Sequence, residues 1–79
     1  MNIESPVKLE LTLNISINGS EFFCPKKEMT IDDILKHLNI DENRVAVALN
    51  ESYVPRVQRA KKFLNEGDRL EILSPMVGG

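Results

Sequence analysis

Tryptophan is absent from this 79-residue chain, and cysteine and histidine occur once each, as Cys24 and His37. A lone cysteine can neither close an internal disulfide nor supply a metal site by itself, so the fold must rest on its apolar core. That core has to be efficient, because a chain this short buries only roughly 60% of its unfolded surface. Charge of one sign is also missing: 10 basic against 12 acidic residues leave a net charge of −2. This excludes nucleic acid as the main partner, since phosphate contacts need clustered Lys and Arg. No apolar run approaches the ~20 residues that span a bilayer. The opening "MNIESPVK" lacks the apolar centre of a signal peptide. With one unpaired cysteine, these absences point to a cytoplasmic protein. Glycine is scarce too, four in all, yet two of the four are the final residues, Gly78 and Gly79.

What is present is ordered patterning. Residues 1–8 read as a flexible leader ahead of a single domain over 9–73. In "LELTLNISI", Leu9, Leu11, Leu13, Ile15 and Ile17 alternate with polar residues, which predicts a strand with one buried face. Asn18-Gly19 follows directly, and Asn-Gly between strand-like runs is the strongest short-range hairpin signal. "SEFFC" is the returning strand, stopped by Pro25. "TIDDILKHLNI" predicts the one clear helix. Thr30 caps it with Asp33 three residues on. Ile31, Ile34, Leu35 and Leu38 form its apolar stripe. Asp32 and Asp33 lie in the first turn, where the helix dipole favours negative charge.

"RVAVALN" predicts a third strand, with Val45, Val47 and Leu49 on one face and Ala46 and Ala48 on the other. "ESYVPR" reads as a short edge segment, since Pro55 cannot donate to a sheet ladder. "VQRAKKFLNEGD" reads as a helical turn that tucks Phe63 and Leu64 inward. Gly67-Asp68 is a turn, and "RLEIL" is the last strand, with Leu70 and Ile72 facing in. One helix covers only one face of a sheet, so the class is α+β in two layers. The order fits a ubiquitin-like β-grasp: a mixed four- to five-stranded sheet, one main helix packed on one face, the last strand central, and a flexible C-terminal tail over 74–79.

Catalytic constellations are missing. His37 flanks the helix stripe and reads as a half-exposed surface residue. Cys24, before Pro25, reads as a semi-buried filler. The acidic pairs Asp32-Asp33 and Asp41-Glu42 are explained by capping and solvation, so no metal site is expected. The basic run Arg56, Arg59, Lys61, Lys62 is a solvated face first, and a docking surface for an acidic partner patch second.

The tail is different. Six residues from Ser74 reach about 20 Å when extended. Pro75 stiffens the base of that arm. Gly78 and Gly79 carry no Cβ to obstruct a narrow channel. At the tip stands a carboxylate, a poor electrophile that must be activated before it can carry a group. An acyl-adenylate made by another protein is the natural route.

The stretch "VAVALNESYVPR", the Val54-Pro55-Arg56 step, the Gly67-Asp68 turn and the terminal Gly78-Gly79 resemble, in that order, the ThiS family of sulfur carriers. The resemblance spans residues 9 to 79. It implies a non-enzymatic carrier, monomeric when free and binding no cofactor of its own. A ThiF-type enzyme would adenylate Gly79 with ATP and Mg. A sulfur-donor system would convert the adenylate to a thiocarboxylate, and thiazole synthase (ThiG) would receive the sulfur for thiamin biosynthesis. Gly78, Val77 and Met76 would then thread the partner's active site, with Leu73, Arg56 and Arg59 as docking residues. Two other uses begin from the same adenylate: a MoaD-like small subunit of molybdopterin synthase, and a ubiquitin-like modifier of lysines. The family pattern also commonly has an aromatic after the Val-Pro-Arg step, a neighbourhood that holds Arg59 here.

Overall fold

The computed structural model describes residues 13–74. The expected leader, Leu9 and Leu11 of the first strand, and residues 75–79 of the tail lie outside the described residues.

Strands β1 (Leu13–Ile17) and β2 (Ser20–Cys24) form the opening antiparallel hairpin. Its turn is Asn18-Gly19, with φ of 52° and 86°. Both residues sit in the left-handed region that a two-residue hairpin of the favoured hand demands, which is why this dipeptide stands there. Helix α1 (Ile31–His37) follows. Strands β3 (Ala46–Leu49), β4 (Ser52–Tyr53) and β5 (Arg69–Leu73) complete a sheet ordered β2-β1-β5-β3-β4. Strand β5 is central, parallel to β1 and antiparallel to β3.

The helix starts where the sequence reading puts it. The Asp33 N–H donates to Thr30 Oγ1 at 3.1 Å, and the Thr30 N–H donates back to Asp33 Oδ2 at 3.0 Å. Two further N–H groups of the first turn, on Ile31 and Asp32, donate to the carbonyls of Lys62 and Arg59. The otherwise irregular 59–62 segment therefore satisfies donors that a helix start leaves unpaired. The helix ends sooner than the apolar stripe suggests. Asn39 takes φ of 60°, its N–H donates to Lys36 O, and the N–H of Ile40 donates to Leu35 O. This pair of bonds closes a Schellman stop, with asparagine in the place glycine usually holds.

The core lies between α1 and one face of the sheet. Ile15, Cys24, Ile31, Ile34, Leu35, Val47, Leu49, Leu70 and Ile72 are all buried there. Strands β1, β2, β3 and β5 contribute alternate residues, so the period of two seen in the sequence has its physical cause in the pleat.

Four expectations need correction. Phe63 does not turn inward: it pairs with Thr30 in an antiparallel bridge and stays 54% exposed, while Leu64 beside it is buried. Adjacent residues of an extended segment point to opposite sides, so only one of the two can face the core. Cys24 is fully buried instead of semi-buried, and His37 is exposed, with its ring edge-on to Phe22 at 6.1 Å. Asn50-Glu51, read as strand and segment, is a second left-handed turn with φ of 51° and 72°, which pairs β3 with β4.

Candidate functional site

The described part of the arm begins where β5 ends, at Leu73 and Ser74. Within the sheet Ile72 pairs with Val47 and Leu73 with Ala46. On the opposite side β1 has already turned away at Asn18, and a side chain takes over the ladder. Asn18 Oδ1 accepts from the Ile72 N–H at 2.7 Å, and Asn18 Nδ2 donates to the Ile72 carbonyl at 3.2 Å. A carboxamide thus stands in for a peptide group. Both backbone groups of Ile72 are held by Asn18, and Leu73 is the first residue beyond that clamp.

Ile72 points into the core, so Leu73 points to the uncovered face of the sheet and is 57% exposed. The pairings Ala46↔Leu73, Ala48↔Glu71 and Ala48↔Tyr53 place these residues on the same face. Tyr53 is 67% exposed. The small Ala46 and Ala48 side chains therefore floor a shallow apolar surface between Leu73 and Tyr53, with Glu71 alongside. Such a surface at the root of an arm suits protein contact, because the alanines let a partner approach the backbone.

The two arginines of the expected docking set part company. Arg56 is exposed, follows β4, and hydrogen-bonds the Asn43 side chain. Arg59 is 2% exposed. Its Nη1 donates to the Glu42 carbonyl at 3.0 Å and its Nη2 to the Val45 carbonyl at 2.8 Å, while Nε has no hydrogen-bond partner. Arg59 thereby ties the short 3₁₀ turn Glu42–Arg44 and the entry to β3 against the 3₁₀ turn Arg56–Gln58. Its guanidinium is spent inside the protein, so it does not belong to the solvated basic run. A charge run read from spacing alone hides this, since a buried and an exposed arginine look identical in sequence. The remaining expected site residues, Met76, Val77, Gly78 and Gly79, lie outside the described residues.

Among the described residues, no group of three or more His, Cys, Asp or Glu side chains could hold a metal, and no helix is long and apolar enough to cross a membrane. Burial, and secondarily the charge of Glu66, push the Cys24 thiol above its ordinary pKa. The thiol therefore stays protonated and unreactive at neutral pH. Two further polar residues, Asn50 and Asp68, hold contacts that the sequence reading did not assign them. Asn50 Nδ2 donates to Asp68 Oδ1 at 3.0 Å, and Asn50 Oδ1 accepts from the Arg69 N–H at 2.8 Å. Asp68 Oδ2 accepts from the Asn65 N–H at 2.7 Å. Together they lock the β3–β4 turn to the start of β5. Asn within a break between two strand-like runs was the available signal for Asn50.

A mixed five-stranded sheet with its last strand central and one helix across it defines a ubiquitin-like β-grasp protein. Comparisons with known proteins narrow this. The ThiS family model matches residues 13–79, and the chain belongs to that family. The solved thiamine biosynthesis protein (ThiS) of Geobacter metallireducens superimposes with a TM-score of 0.74 at 25% identity, covering 85% of this chain and 100% of that one. An uncharacterized protein ycf40 of Pyropia yezoensis is 34% identical over 67 residues, 85% of this chain and 93% of that protein. A thiazole synthase of Paramagnetospirillum magneticum is 36% identical over 67 residues, which are 85% of this chain and only 20% of that longer protein.

Proposed function

We propose that this chain is a sulfur carrier for thiamin biosynthesis and that its working group is the carboxylate of Gly79. The observation that carries the reading is the ThiS family match, which runs through Gly79. The central position of β5, which leads into the arm from the middle of the sheet, supports it. A carboxylate oxygen of Gly79 attacks the α-phosphorus of ATP on a ThiF-type enzyme, with Mg held by that enzyme. A C-terminal acyl-adenylate forms and pyrophosphate leaves. A sulfur donor then displaces AMP, so that one carboxylate oxygen is replaced by sulfur. The chain itself is a co-substrate in both steps and not an enzyme.

Residues Met76 to Gly78 thread the partner's active site, where glycine permits the closest backbone approach. Leu73, with Ala46, Ala48 and Tyr53, forms the contact face at the root of the arm, and Arg56 is a charged contact at its edge. Arg59 has no part in docking. Thiazole synthase is the sulfur acceptor this reading favours, because a protein of that name carries a segment similar to this chain. The molybdopterin and modifier uses share the adenylate, and the ThiS match weighs against both.

The test is intact-mass analysis after incubation with a ThiF-type enzyme, ATP and a sulfur donor. Exchange of one oxygen for sulfur, lost when Gly79 is deleted, is the expected result. An unchanged mass with an enzyme active on its own carrier overturns the reading.

A further inference from the structure

Asn18-Gly19 is the one Asn-Gly pair in the sequence. Asn-Gly is also the dipeptide most prone to spontaneous deamidation, since glycine has no Cβ to shield its nitrogen from the preceding carboxamide. The hairpin requires the pair nonetheless, because both residues hold positive φ. Fold and chemical durability are therefore in conflict at one site.

We propose that Asn18 is a latent deamidation site, kept intact by its two hydrogen bonds to Ile72 and released when the end of β5 opens. The sheet order gives the reason. Strand β1 lies between β2 and β5. Gly19 leads toward β2, whereas the Asn18 carboxamide is held toward β5 by both of its polar atoms. The clamp fixes the carboxamide, so Cγ is not free to swing onto the nitrogen that would attack it. Water is not what is withheld, because Asn18 is exposed.

When the clamp opens, the Gly19 nitrogen loses its proton to hydroxide and forms a bond to Asn18 Cγ. Water returns a proton to Nδ2, the Cγ–Nδ2 bond breaks, ammonia leaves, and a cyclic imide remains. Water opens the imide to aspartate or isoaspartate, with no oxidation or reduction. Neither product has an N–H to offer the Ile72 carbonyl, and both set a negative charge beside it. Isoaspartate also lengthens the backbone of the turn. The end of β5 is then untied at the root of the arm, and an aged chain presents its arm poorly to a partner. That last consequence rests on the sulfur-carrier reading; the modification itself does not.

The experiment incubates the full chain at mildly alkaline pH, folded and in concentrated guanidinium, and follows amide-to-acid exchange by mass in the tryptic peptide between Lys8 and Lys26. The folded chain is expected to convert about tenfold or more slowly, because reaction then waits for local opening. Equal rates overturn the proposal. Amide hydrogen exchange at Ile72 is the independent check. Protection there matching the folded rate supports the clamp, and exchange as fast as an exposed amide overturns it. Neither readout involves sulfur transfer, so failure here is distinct from failure of the carrier reading.

Discussion

Asn18 and Ile72 are 54 positions apart and share two hydrogen bonds, with Asn18 supplying both donor and acceptor. The residue that turns the first hairpin thus also fastens the strand from which the arm departs. One asparagine serves as left-handed turn residue and as substitute strand partner.

Replacing Asn18 with glycine separates these roles, because Asn18→Gly keeps the positive φ and removes the carboxamide. Two hydrogen bonds at the centre of the sheet are lost, for about 1–2 kcal/mol of stability. Chemical denaturation measures the loss. An unchanged midpoint would mean the clamp contributes nothing to the fold.

Arg56 and Arg59 should respond in opposite ways. Arg59→Met keeps the stem but leaves the Glu42 and Val45 carbonyls unpartnered, at about 2–3 kcal/mol. Arg56→Ala, at an exposed position, should stay within about 0.5 kcal/mol. Similar losses in both would contradict the assignment of Arg59 to the interior.

Acid tests the capping box. Hydrogen bonding from the Thr30 N–H, the largest cause, holds the Asp33 carboxyl below its ordinary value of 3.8. A depressed carboxylate contributes stability that is present above the unfolded value and lost as pH falls through the folded one. The parent chain should therefore lose more stability on acidification below 3.8 than Asp33→Asn does. Parallel acid profiles would remove the capping contribution.

Cys24 should be inert while the chain is folded, since burial raises its pKa and the thiolate is the reactive form. Alkylation at neutral pH should be slow until denaturant is added. Labelling at equal rates in both states would contradict the buried placement.

Much of this architecture is legible in the sequence, for identifiable reasons. The Leu13-Ile15-Ile17 alternation, the Asn-Gly turn and the Thr30–Asp33 box are local signals, and each keeps its meaning in the fold. The misreadings share a cause. Arg59, Phe63 and Asn50 take their roles from distant partners: the Glu42 and Val45 carbonyls, Thr30, and Asp68 with Arg69. No spacing rule announces such contacts. The arm is the reverse case, because Gly78 and Gly79 are conspicuous in composition while their residues lie outside those the structure describes.

The central claim concerns the Gly79 carboxylate, and its most direct test is the intact mass of the chain after reaction with a ThiF-type enzyme, ATP and a sulfur donor. The account predicts exchange of one oxygen for one sulfur in the full chain and none in a chain lacking Gly79, with both chains equally stable to heat. Neither adenylate nor thiocarboxylate on the full chain, with the enzyme shown to be active on its own carrier, would contradict it.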